Sequence, residues 1–282
     1  MNITTLKSKN KWNNALVLWG IHWNEKSWNI AIKKFIENVN NKTISILSGK
    51  VTLISECNEK AWIKDLRYIE DNLNRCLYKG QNLNSQEWKI ARQIMPFFEK
   101  SSHSLDLHST SWKSTPFLIS KTKNIKFAKK LWISYIISWW NNLWISWLDW
   151  NTISYMDSKW GKGFAFESWN HESIEWPKNA YQVLLNFLSN LWIINSNLFK
   201  KIENKTQHIK LNTAYICKTW NFKFMLNKSK LENFSQIKKW TLIWLDWDEE
   251  IIIERDIILV MPNLANPKKW EDVFFVWEKI NN

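Results

Sequence analysis

The stretch ALVLWGIHWNE, Ala15 to Glu25, decides the fold. Ala15 to Trp19 is a short apolar run that reads as a buried strand stopping at Gly20, and its C-terminal end delivers His22 and Glu25. Two later stretches repeat this pattern. Ser104 to Leu107 reads as a strand carrying Asp106 and His108 on one face, because side chains alternate along a strand. Phe164-Ala165-Phe166-Glu167 reads as a strand ending in a carboxylate. Helical spacing lies between these strands. Ser27 is placed to cap a helix whose apolar face is Ile30, Ala31, Phe35 and Ile36. Residues 84 to 100 repeat Trp88, Ile90, Ala91, Ile94, Phe97 and Phe98, and Pro177 opens a helix reaching Leu191. Thr43 to Leu47, Val51 to Ser55 and Ile133 to Ser138 read as further strands. Strands alternating with helices predict an α/β core.

The pattern changes after the polar stretch Lys200 to Thr206. Short strands joined by turns follow: His208 to Cys217, Phe222 to Leu226, Thr241 to Leu245, Ile251 to Ile253, Ile257 to Met261 and Val273 to Val276. This predicts an α/β domain over residues 1–205 and a small all-β domain over 206–282.

The chain has 282 residues, 39 Lys and Arg against 26 Asp and Glu, and a net charge of +13. A basic chain invites a nucleic-acid reading. Here the cations are almost all Lys, spread along a chain rich in Asn and Ile, which reads as a solvated surface and not a groove for nucleic acid. The only arginines are Arg67, Arg75, Arg92 and Arg255, so two of them within nine residues stand out. Cys57, Cys76 and Cys217 form no C-x-x-C pair and fit a reducing cytoplasm. The N-terminus lacks the apolar run of a signal peptide. The uncharged stretch Leu131 to Leu148 carries Asn141, Asn142 and several Ser, which argues against a membrane span.

There are 23 Trp and 5 Gly. A glycine share of about 7% would give roughly 20. Trp occurs where glycine chemistry is expected: Leu18-Trp19-Gly20, His22-Trp23-Asn24, Lys159-Trp160-Gly161, and Trp139 and Trp140. Trp244, Trp247, Trp270 and Trp277 also fall in turn-like contexts. Glycine reaches positive φ freely and Trp does not. The expectation is that many of these codons are UGA, read as glycine in the source cell.

His22 and Glu25 form an H-x-x-E pair, a spacing that also arises by chance. His108 gives it a third partner from a distant strand, and two imidazoles with one carboxylate suit Zn²⁺ with a coordination position left open. Asp106 is placed either to orient a ligand or to cap the strand end. Arg67, Asn74 and Arg75 form a candidate clamp for an anion, since a guanidinium grips a carboxylate bidentately where Lys acts as a point charge. His103 and His171 read as polar surface or loop residues.

G-I-H-W-N-E, D-L-R-Y-I-E-D-N-L-N-R and D-L-H-S-T together resemble the succinylglutamate desuccinylase/aspartoacylase family, which is related to the zinc carboxypeptidases. The resemblance spans the chain. It implies a zinc-carboxypeptidase-like mixed sheet flanked by helices, with a β-rich C-terminal part. It also implies one Zn²⁺ on His22, Glu25 and His108, a carbonyl-polarising Arg67, and Asn74 and Arg75 on the substrate carboxylate. Glu167 would be the general base and acid. Trp23 departs from the pattern, which has glycine there. The aspartoacylase branch carries an Arg about ten residues before its Glu. Here that neighbourhood reads Asp157-Ser158-Lys159, with Lys159 the available stand-in.

The activity implied is zinc-dependent hydrolysis of an N-acyl amino acid or similar small amide in the cytoplasm, without nucleic-acid or membrane partners and with homo-oligomerisation left open. The rival readings are a peptidase or amidase of the same fold and an inactive binding relative.

Overall fold

The structure is a computed structural model that describes residues 1–22, 25, 29–78, 84–110, 113–138, 151–170, 176–200, 206–211, 213–227, 231–263, 269 and 272–277. An eight-stranded mixed sheet contains β1 (Asn2–Lys7), β2 (Asn14–Trp19), β3 (Lys50–Ser55), β4 (His103–Thr110), β5 (Phe117–Ser120), β6 (Tyr135–Ser138), β7 (Lys162–Asn170) and β8 (Gln207–Lys210). The spatial order is β1-β3-β2-β4-β7-β5-β6-β8. β3, β2, β4 and β7 run parallel to one another, while β1 runs antiparallel to β3 and β5 antiparallel to β7. The helices are α1 (Asn29–Asn40), α2 (Glu59–Ile63), α3 (Gln86–Glu99), α4 (Ile125–Ala128), α5 (Thr152–Ser158) and α6 (Trp176–Asn190).

Alternation along the central strands builds two cores. Ala15, Val17 and Trp19 of β2, Leu105 and Leu107 of β4, and Phe164 and Phe166 of β7 face α1 and α6. Leu16 and Leu18 face the other way, toward α3 and α5. All eight residues of β4 are buried, as expected for a strand covered on both faces.

The strands after β8 form two antiparallel sheets. β9 (Thr213–Ile216), β11 (Gln236–Ile237), β14 (Ile257–Val260) and β15 (Asp272–Trp277) make one, in the order β11-β14-β15-β9. β10 (Phe222–Phe224), β12 (Leu242–Asp246) and β13 (Glu249–Ile252) make the other. Val260 and Phe275 pack with Phe117, Ile137 and Ile209, so this module shares a core with the large sheet.

Several expectations change. The strand expected over His208 to Cys217 is two strands. β8 pairs with β6 in the large sheet and β9 pairs with β15. Thr43 to Leu47 is irregular: Ile44 is buried, and the backbone N–H groups of Ile44 and Leu47 go to the carbonyls of Asn38 and Ile193, not to a ladder. On α1 the buried face is Ala31, Ile32 and Phe35, while Ile30 is exposed. The Ser27 cap lies outside the described residues, as do Trp23, Asn24, Trp139 to Asn142, His171 and Trp270. Among the described residues no helix is long and apolar enough to cross a membrane.

Two sets of the described tryptophans stand apart. Trp19, expected at a glycine-like position, is a fully buried core residue at the end of β2, and Trp88 and Trp244 are buried core residues too. The turn expected at Trp244 is instead the middle of β12, and Trp277 ends β15. Trp132, Trp160, Trp192, Trp240 and Trp247 have φ of 57°, 62°, 59°, 66° and 61°. They make up half of the described non-glycine residues with positive φ, a region where a bulky side chain is an outlier.

At the end of α5 the N–H of Gly161 reaches Met156 O and that of Trp160 reaches Asp157 O. At the end of α6, Ile193 N–H reaches Leu188 O and Trp192 N–H reaches Ser189 O. Both are Schellman motifs, with Trp at the left-handed position that glycine usually fills. Trp247 is the first residue of the two-residue β12–β13 loop, another glycine position in tight hairpins. Trp160 is 95% exposed and Trp192 is 68% exposed, so neither indole offsets its backbone strain by burial.

Left-handed backbone costs an L-residue roughly 1–2 kcal/mol, so Trp160→Gly and Trp192→Gly should each raise unfolding free energy by about 1 kcal/mol. Trp244→Gly should lower it by roughly 3–5 kcal/mol. Denaturant unfolding of the three variants checks this, and peptide mass spectra from the source cells read the residue at 160 and 192 directly.

Candidate metal centre

β2 ends at Trp19, in register with Leu107 of β4, and His108 of β4 is in register with Glu167 of β7. Three parallel neighbours therefore end together. Because parallel partners point to the same face, His108 and Glu167 project side by side from the face that also carries Asp106. Gly20, with φ +76°, turns the chain out of β2. A Cβ there would sit 3.2 Å from Cys57 N and Glu56 Cα, both backbone atoms, so a side chain would be crowded as well as strained by the positive φ. His22 and Glu25 follow, both buried.

His22 Nδ1 lies 3.1 Å from Glu25 Oε1, and His108 Nδ1 lies 3.2 Å from Glu25 Oε2. One ligand atom from each of the three residues lies within 4.8 Å of the others. Both rings thus present Nδ1 to a common point beside the carboxylate. Behind the rings, His22 Nε2 is hydrogen-bonded to Asn72 Oδ1 at 2.9 Å, while His108 Nε2 lies 2.8 Å from Asp106 Oδ2 as a close ion-pair contact without hydrogen-bond alignment. An outer nitrogen facing an oxygen, with the other nitrogen turned inward, is the arrangement of a metal-binding histidine, and His22 has it with a full hydrogen bond. The register between β4 and β7 slips between His108 and Thr110. Beside that slip, Ser109 N–H donates to Glu25 Oε2 at 3.2 Å.

Charge in this pocket is arranged to match. Burial, helped by the Arg67 charge, pushes His22 down to about 3, so it is neutral, as ligation requires. Burial opposes a charge on His108, but Asp106 and Glu25 outweigh it and hold the imidazole well above its ordinary value. Burial likewise opposes ionised Glu25, and His108 and His22 outweigh it and hold the carboxyl well below the usual range. Without a metal, His108 thus carries the positive charge that Glu25 and Asp106 favour, and a metal ion at the common point would displace that proton and take its place in this donor set.

Glu167 stands beside this cluster. Burial pushes its carboxyl up to about 8, with Glu25 and Asp106 adding to the rise and His108 and Arg67 opposing it. Its proton affinity is therefore raised toward neutral pH in the metal-free site. Arg67 Nη1 lies 3.5 Å from Glu25 Oε1, with its side chain 46% exposed, so it faces both the cluster and solvent.

Asn74 and Arg75 sit on the single 3-10 turn Leu73–Arg75. Asn74 Oδ1 accepts the N–H of Thr152 at 3.1 Å, which leaves its amide nitrogen as the donor end. Arg75 Nη1 donates to Asn74 O at 3.0 Å. Thr152 Oγ1 also donates to Asp106 Oδ2 at 2.7 Å, so the start of α5 joins the residue behind His108 to the Asn74 turn.

Two expectations are corrected. Lys159 does not reach the cluster: it pairs with Glu99 at 3.0 Å, at the other end of α5. His103 is neither surface nor loop. It is buried at the start of β4, against the Phe127 ring, and burial lowers it to about 4. Sequence reasoning passed over Asn72 and Thr152. Asn72 was visible only as the first Asn of the D-N-L-N-R run, with Asn74 taken as the functional one.

Residues 11–136 match the family model described as the succinylglutamate desuccinylase/aspartoacylase catalytic domain. No curated protein matches the sequence. Solved structures match over nearly the whole chain. A succinylglutamate desuccinylase/aspartoacylase from Rhodobacter sphaeroides has a TM-score of 0.74 at 17% identity, covering 99% of this chain and 89% of that one. Succinylglutamate desuccinylase from Vibrio cholerae gives 0.73 at 17%, covering 95% and 81%. An ectoine utilization protein from Ruegeria pomeroyi gives 0.73 at 15%, covering 98% and 88%. At these identities the likeness establishes the shared fold.

Two measurements check the site. Asn72→Ala should weaken binding of Zn²⁺ by roughly 10–100-fold, the usual effect of removing a group that orients a ligand, read by competition with a chromophoric chelator. The second concerns pH. A carboxyl raised from 4.5 to about 8 stabilises the folded state below pH 4.5 and loses that contribution as pH rises through 8. Metal-free wild type should therefore lose more thermal stability between pH 4.5 and 8 than Glu167→Gln, as followed by circular dichroism.

Proposed function

We propose that this chain, whose residues 11–136 belong to the succinylglutamate desuccinylase/aspartoacylase family, is a zinc-dependent deacylase that cleaves an N-acyl amino acid or similar small amide. The observation that carries this reading is the inward convergence of His22 Nδ1, His108 Nδ1 and the Glu25 carboxylate, with Glu167 on the neighbouring strand in register with His108.

His22, Glu25 and His108 would hold the Zn²⁺. Bound there, Zn²⁺ supplies Lewis acidity that polarises a carbonyl and makes water a nucleophile near neutral pH. The remaining work belongs to side chains. Arg67, half exposed at the rim, is free to turn from Glu25 to the amide oxygen and stabilise the charge that develops on it. Glu167 serves as general base and acid: its carboxylate takes a proton from the attacking water, and its carboxyl returns that proton to the leaving amine nitrogen. Its raised proton affinity suits the second half of this exchange. Asn74 and Arg75 offer an amide donor and a guanidinium to a substrate carboxylate. Products would be a carboxylate and a free amine. Lys159, tied to Glu99, takes no part in substrate binding.

Amine release from a panel of acetyl and succinyl amino acids should be measured on protein carrying glycine at 23, 160 and 192, with and without chelator. Chelator-sensitive turnover is expected. Release of amino acids from peptides, with none from the panel, would replace this reading with a peptidase. Zn²⁺ binding with no turnover on either would replace it with a binding protein. Among variants, Glu167→Gln should lower kcat by about 10²–10⁴-fold, the usual contribution of a proton-transferring residue. Arg75→Lys should act mainly on KM, because it loses the bidentate grip.

A further inference from the structure

Glu87 is a fully buried carboxylate in the first turn of α3. The mechanism above does not use it, and it gathers four N–H donors. Ile69 N–H donates to Oε1 at 2.7 Å, and Asn58 Nδ2 donates to the same oxygen at 3.0 Å. The N–H groups of Glu70 and Asp71 donate to Oε2, each at 3.2 Å. A charge buried in this way persists only when its hydrogen bonds are made.

Three consecutive backbone amides aimed at one side chain fix the path of residues 69–71. The next residue is Asn72, whose Oδ1 meets His22 Nε2 at 2.9 Å and accepts Asn74 N–H at 3.0 Å. Asn58 extends the same connection to the other side of the site, since its own N–H donates to the carbonyl of Gly20, two residues before His22. Glu87 thus links the turn that carries the orienting Asn72 to the turn that launches His22.

Resting on the metal-site reading above, we infer that Glu87 is a positioning residue for that site. Its carboxylate sets residues 69–72 and, through Asn72, the orientation of His22. The substrate-facing Arg67 and Asn74 flank the same segment, so one buried side chain governs both the metal-facing and the substrate-facing edges.

The test is a double-mutant cycle on the full chain, with Zn²⁺ affinity read by chelator competition and amide hydrogen exchange followed at residues 69–71. Glu87→Gln keeps the volume but turns an NH₂ group toward N–H donors. It should speed exchange at residues 69–71 and weaken Zn²⁺ binding by about tenfold, the lower range for groups that support ligands. In the Asn72→Ala background it should add no further loss, because both changes act through one contact. Glu87→Asp, which keeps the charge and withdraws it by one methylene, should behave alike and serves if Glu87→Gln does not fold. Unchanged exchange, or a Zn²⁺ loss that adds fully to that of Asn72→Ala, overturns the role of Glu87. A wild-type chain that binds no Zn²⁺ overturns the metal reading itself, a distinguishable result because the exchange data still report whether Glu87 anchors the segment.

Discussion

The parallel register of β4 with β2 on one side and β7 on the other is the constraint from which the site follows. Parallel strands in register end at one height and point matched residues to one face. Trp19 beside Leu107 and His108 beside Glu167 place three chain segments, far apart in sequence, at a common edge. The burial of every residue of β4 holds this arrangement still. A slip of one residue would send Asp106 and His108 into the apolar face occupied by Leu105 and Leu107. That cost protects the geometry better than contacts within the site could.

The carboxylates of the polar interior differ in their partners. Glu25 is held between two imidazoles and Ser109 N–H, Asp106 sits between His108 and Thr152, and Glu87 collects four N–H donors. Each buried carboxylate does a different task because its partners differ. Donors alone make Glu87 an anchor for backbone. Basic partners with room between them make Glu25 a candidate ligand. Glu167, whose proton affinity burial raises, is suited to carry a proton.

The tryptophans bear on both fold and site. Where Trp88 and Trp244 lie in the cores, an indole fills space as expected. Where Trp160 and Trp192 close Schellman motifs, the backbone requires what glycine provides and the exposed indole contributes no packing. Composition alone signals too many Trp and too few Gly, but it cannot sort one group from the other. Trp244 and Trp277 read as turns in the sequence and are strand residues in the fold.

Local pattern was enough to identify the α/β class, the strands that deliver His22, His108 and Glu167, and the grouping of two imidazoles with a carboxylate. Each of these rests on short-range periodicity and on residue chemistry that survives without neighbours. The polar edge strand β1 carries little hydrophobic signal, and β5, though apolar over Phe117-Leu118-Ile119, was not read as a strand from the sequence. The placement of β8 in the large sheet depends on a partner, β6, about seventy residues away. Asn72, Thr152 and Glu87 are ordinary polar residues in sequence. They acquire roles only when folding brings His22, Asp106 and the backbone of residues 69–71 within hydrogen-bond reach. Sequence determined which groups the protein has for chemistry. Tertiary structure decided which of them meet, which are charged, and what holds them, because burial and proximity belong to the packed chain and not to any segment of it.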